Sequence, residues 1–159
     1  MVSTLIGLRA LLLFGFAGLL SAADPFTGVW KLSRAKSSGS LPSDEIVTIR
    51  EIGRTLAVEV KVVNGPNQEN LVIRYTSPTG GGAGHMESGP FDAVTVKRPN
   101  PNTLDITYFS KGVEMRSTRV EVAKDRRTMN SVGKVRVGDE AWNIVFEKQT
   151  VPGVGSARQ

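Results

Sequence analysis

From Thr27 onward, apolar and polar side chains alternate with a period of two, and turn residues interrupt that alternation at short intervals. A strand points successive side chains to opposite faces, so a chain of this kind builds sheet with one apolar face. Thr55 to Val63 is the clearest case: Leu56, Val58, Val60 and Val62 share one face, and Ala57, Glu59 and Lys61 share the other. Strands are predicted over 27–32, 45–52, 55–63, 69–76, 93–98, 103–110, 113–123, 128–137 and 141–148. Asn64-Gly65-Pro66-Asn67 and Pro99-Asn100-Pro101-Asn102 separate them, because Asn-Gly accepts positive φ and Pro has no N–H for the ladder. Lys111-Gly112 is predicted as a tight hairpin turn. Residues 77–90, with the run Gly80 to Gly84, are predicted as a flexible loop that could act as a mobile lip over a barrel mouth. Val113 and Met115 share one parity, whereas Val120 and Val122 share the other, which predicts a β-bulge near Ser117 to Arg119. Hardly any helical periodicity is present. A meander with long open edges would aggregate, so it must close or stack. Consecutive hairpins favour an all-β fold, a single up-and-down antiparallel β-barrel of about 8–10 strands, over a Greek-key sandwich.

The chain ahead of this region has a different character. Leu11 to Leu20 is apolar, Arg9 is the only charge before it, and Ser21-Ala22-Ala23 has the small-residue pattern of a signal-peptidase site. The apolar run falls short of the roughly 20 residues that cross a bilayer. Residues 1–23 are therefore expected to be a signal peptide and 24–149 a barrel domain, followed by a flexible polar tail over 150–159. The expected location is exported, periplasmic or extracellular, with no membrane span in the mature chain. There are no cysteines, which excludes disulfides, thiol nucleophiles and Cys-ligated metals. The net charge of +5 comes from basic residues spread over strand faces and turns, among them Lys61, Arg74, Lys97, Arg116 and Arg119. Nucleic-acid binders concentrate charge on one face, so no nucleic-acid partner is expected.

Gly28-Val29-Trp30 on the first strand resembles the Gly-x-Trp signature of the lipocalins and the wider calycin group. More closely, Asp24 to Leu32 with Ala35-Lys36-Ser37 is similar to the opening of a group of small secreted bacterial lipocalin-like proteins of unknown function. The similarity continues through Ala93 to Arg98, Asn102-Thr103-Leu104, Thr118 to Asp125 with Thr128-Met129, and Phe146 to Gln149. The resemblance implies a calycin-type barrel in which Trp30, beside Gly28, plugs one end, with any ligand toward the other. It carries no assigned activity. The gap from Ser33 to Asp44 is too short for the two-helix lid of intracellular fatty-acid-binding proteins.

Little in the sequence suggests catalysis. His85 is the only histidine, beside the glycine run with Glu87 nearby, and is expected to be a solvated loop residue. Gly80 to Gly84 lacks the Lys-Ser/Thr of a phosphate loop, and no Gly-x-Ser-x-Gly elbow is present. The acids mostly alternate with apolar neighbours and are expected on the outer face. No catalytic residues, metal site or cofactor are assigned. The inward set is Trp30, Val58, Val60, Ile73, Tyr75, Val96, Leu104, Ile106, Tyr108, Met115, Met129, Trp142 and Phe146. Of these, Ile73, Tyr75, Ile106, Tyr108, Met115, Met129 and Trp142 are the candidates to bind a small hydrophobic ligand, the Tyr hydroxyls orienting it. The alternatives are a filled barrel that meets an envelope protein or polysaccharide and, last, a barrel-fold enzyme. An interior cavity below about 100 Å3 would favour the filled barrel.

Overall fold

The computed structural model describes residues 23–66, 68–136 and 140–150; the expected signal peptide, up to Ala22, and most of the expected tail lie outside them. Eleven strands follow in order: β1 (Gly28–Leu32), β2 (Ser38–Gly39), β3 (Asp44–Ile52), β4 (Thr55–Val63), β5 (Leu71–Pro78), β6 (Gly80–Ser88), β7 (Ala93–Asn100), β8 (Thr103–Ser110), β9 (Val113–Val122), β10 (Thr128–Val135) and β11 (Ala141–Lys148). From β3 to β11 each strand is antiparallel to the next in sequence. β1 pairs with β3 through Gly28 to Lys31 and with β11 through Trp30 to Leu32, so the sheet closes. This is a ten-strand antiparallel up-and-down barrel, with β2 as a two-residue addition. Closure leaves no long open edge.

The chain between β1 and β3 continues along β11. Ser33 N donates to Val145 O at 2.8 Å, a 3-10 turn occupies Arg34–Lys36, and Val145 N donates to Ser37 Oγ at 2.9 Å. β2 then pairs Ser38 with Asn143 and Gly39 with Trp142. Among the described residues no helix is long and apolar enough to cross a membrane.

Two expectations are corrected. The glycine-rich stretch is β6, a slat of the wall between β5 and β7, and not a flexible loop or lip. Few side chains there could signal a strand, but the backbone still supplies ladder groups. Gly84 also lies so close to Val94 and Ser77 that a Cβ would approach both within 2.8 Å. The frame change in β9 comes earlier than predicted. Tyr108 pairs with Arg116 but Phe109 pairs with Glu114, which leaves Met115 as the extra residue of a bulge. The tight turn appears as expected: Lys111 (φ 51°) and Gly112 (φ 75°) join Ser110 to Val113, the all-positive φ pattern of a type I′ hairpin.

Alternation then sets the core. Trp30, Leu56, Ile73, Tyr75, Val96, Leu104, Met129 and Phe146 are almost fully buried. Burying one such large apolar side chain contributes about 1.5–3 kcal/mol. Every member of the inward set is buried or packs against the core except Met115, which the bulge removes.

Candidate functional site

The two ends of the barrel are built differently. At one end the segment before β1 folds across the opening. Trp30 is wholly buried there and donates from Nε1 to Phe26 O at 2.8 Å. Asp24 accepts from Phe26 N and pairs with Arg98 at 2.5 Å, while the Arg98 guanidinium lies 5.4 Å from the Phe26 ring centre. Lys148 Nζ sits 5.0 Å from the Trp30 ring centre, and a side chain at Gly28 would run into the Lys148 stem. Trp30 and Gly28 are thus at the closed end, away from the internal space.

That space is a mostly apolar cavity of about 60 Å3, lined in part by Val47, Ile49, Val58 and Phe146. Ile73, Tyr75, Ile106, Tyr108 and Met129 also line it. Trp142 lines the opposite, open end, a depression of about 520 Å3 formed where the approach to β3, the β4–β5 connection and the β10–β11 region meet. Met115 lines neither space. Glu45 and Arg116 line both, so they stand at the neck between mouth and interior.

The sequence expectation missed this pair. Glu45 shares the parity of Val47 and Ile49, so β3 turns it inward, contrary to the outer-face expectation for the acids. Arg116 shares the parity of Thr118, Val120 and Val122, and the bulge at Met115 sets that parity. Reading β3 and β9 from their apolar ends would have found both residues.

The guanidinium of Arg116 stacks 4.3 Å from the Trp142 ring centre and 5.9 Å from that of Tyr108. Such stacking fixes the cation while leaving its in-plane donors free. Arg116 Nε and Trp142 Nε1 are buried donors with no partner among the described residues, and the Thr118 hydroxyl is likewise unpaired. Gly133, opposite Trp142 on β10, makes room for the indole, since a Cβ there would fall 2.2 Å from Trp142 Cζ2. Deeper in, the Tyr108 hydroxyl donates to the Tyr75 hydroxyl at 3.4 Å with the rings edge-on. Burial pushes both phenols above their usual range, Tyr75 the further.

Glu45 is 8% exposed. Burial raises its carboxyl from 4.5 to about 6, against the opposing pull of Arg116. The ion pairs Glu59 with Arg74 and Asp105 with Arg119 lie on the outer wall, where such pairs contribute little. His85 is exposed on β6, and no group of three or more metal-ligating side chains occurs among the described residues.

No family model and no curated protein matches the sequence. Solved structures do match. The chain is similar to a Schistosoma mansoni fatty acid binding protein in complex with arachidonic acid, at 19% identity and a TM-score of 0.56, over 80% of this chain and 98% of that one. It is also similar to zebrafish ileal bile acid-binding protein complexed with cholic acid, at 13% identity and a TM-score of 0.52, over 79% of this chain and 99% of that one. At such identities the likeness establishes the calycin-type fold. Both of those proteins are binding proteins.

Proposed function

We propose that this chain is an exported, non-catalytic barrel of the bacterial lipocalin-like kind that binds a compact amphipathic molecule. The apolar part occupies the cavity, and an acceptor-bearing or anionic end lies at the neck. One observation carries this: the apolar cavity leads to the unpartnered Nε of Arg116 beside the unpartnered indole N–H of Trp142. Buried donors without acceptors are uncommon, and a ligand oxygen would satisfy both. The apolar run at Leu11 to Leu20 and the Ser21-Ala22-Ala23 site support export. The binding proteins of similar fold support a binder over an enzyme.

A second reading has its own support. The cavity of about 60 Å3 falls below the size set out for a ligand pocket, and ligand pockets run from about 300 Å3 upward. A filled barrel with an envelope protein or polysaccharide partner fits that volume. A binder must therefore take a short ligand or let side chains at the neck move aside. Titrating delipidated protein with fatty acids and aromatic probes while following tryptophan fluorescence separates the two. The binder gives a saturable change; no saturable change with any probe counts heavily against it.

A further inference from the structure

The neck holds an acid that the proposed ligand contact does not use. Glu45 stands in the same opening as Arg116, yet no ion pair joins them within 4.0 Å, and its carboxylate accepts no hydrogen bond among the described residues. An arriving anion would have to share this poorly solvated space with the Glu45 charge. Two negative charges at close range in such a site cannot both be kept at low cost, and one gains a proton.

We propose, building on the ligand site above, that an anionic ligand enters the neck together with one proton, which Glu45 carries. As a neutral acid, Glu45 removes the repulsion and presents an O–H donor to the ligand oxygen, beside Arg116 Nε and Trp142 Nε1. Binding of the anion and protonation of Glu45 then strengthen one another equally, as linkage requires. A neutral ligand gains no such coupling, so the neck distinguishes ligands by charge according to pH.

The surroundings of Glu45 are consistent with this. Arg116 faces it from β9 and Tyr108 from β8. From the mouth side, Arg34 of the 3-10 turn and Glu140 before β11 line the same depression, but Arg34 donates to Pro42 O. The remaining neighbours at this level, Val62, Val135, Trp142 and Ile144, are uncharged. The outward pair Lys31 with Asp44 is exposed beside β3.

The test measures dissociation constants of 1-hexanesulfonate, an anion throughout, and of neutral 1-hexanol, for the full chain at about pH 5 and about pH 7.5. With the Glu45 carboxyl near 6, the sulfonate should bind up to about 30-fold more tightly at the lower pH, and hexanol equally at both. Glu45→Gln should abolish that pH dependence. Calorimetry of the unmodified protein in two buffers of different ionisation heat should count nearly one proton taken up per sulfonate near pH 7.5, a readout that does not depend on the variant folding. Equal sulfonate affinity at both pH values, no proton uptake, or pH dependence that survives in Glu45→Gln overturns the proposal. Hexanol binding without sulfonate binding also overturns it while leaving the binding site standing. If neither probe binds, the ligand site fails and the coupling falls with it.

Discussion

The closed end and the mouth are made from the same three kinds of side chain, a tryptophan, an arginine and a carboxylate; each arginine keeps unpartnered donors, but the tryptophan and the carboxylate have partners at the closed end alone among the described residues. At the closed end Trp30 Nε1 has Phe26 O and Asp24 has both Phe26 N and Arg98, while Arg98 Nε and Nη2 and the Thr27 hydroxyl have no partner among the described residues. At the mouth Trp142 Nε1 and Arg116 Nε have none, and Glu45 carries the cost of burial without a hydrogen-bond partner to its carboxylate among the described residues. A satisfied polar cluster fixes a structure, whereas an unsatisfied one stores a cost that a ligand can relieve. In the proposed reading, the partnered tryptophan and carboxylate hold the closed end together and the unpartnered groups at the mouth meet the ligand.

Substitutions should therefore divide by end. Trp30→Ala removes a fully buried indole and its hydrogen bond and should cost about 3–5 kcal/mol in urea unfolding. Trp142→Ala, at the half-buried counterpart, should cost clearly less; equal losses would erase the distinction between the ends. Asp24→Ala should lose about 2 kcal/mol near neutral pH, because it leaves Arg98 partly buried without its partner.

Glu45→Gln should have the opposite sign. The folded-state carboxyl lies at about 6, above its ordinary 4.5, so folding favours the protonated form. The penalty is fully present above the folded value, fades as pH falls from about 6 toward 4.5, and is absent below that. The variant should thus gain about 2 kcal/mol at neutral pH or above, and progressively less in acid. A stability loss at neutral pH would mean that Glu45 holds the fold together as Asp24 does. Gly133→Ala should push the Trp142 ring aside, shift its emission and cost about 1–3 kcal/mol. The smallest effect belongs to Lys111→Asn. The φ of 51° suits Asn better than Lys, and a gain of about 0.5 kcal/mol in the unfolding free energy is expected.

Much of the barrel was legible because period-two alternation reports which face is buried. Leu56 to Val62 and Leu104 to Tyr108 needed no tertiary information. β6 was not legible: Gly80 to Gly84 have almost no side chains to alternate, and neighbouring strands recruit their backbone. The site was half legible. Ile73, Tyr75, Ile106, Tyr108 and Met129 line the cavity, and Trp142 lines the mouth, because their parity agrees with an apolar core. Met115 was misplaced and Arg116 overlooked for one reason, a bulge whose position depends on how β8 and β9 register. Glu45 was overlooked because a charge on an apolar face reads as an outward residue, although its spacing from Val47 and Ile49 places it inside.

Two tryptophans, one at each end, make the decisive measurement simple. The indole N–H resonances of Trp30 and Trp142 can be followed together by NMR during titration with 1-hexanesulfonate at about pH 5. The Trp142 resonance should move with saturation while that of Trp30 stays in place. Movement of Trp30 instead, or of neither, would contradict a binding mouth opposite a closed structural end.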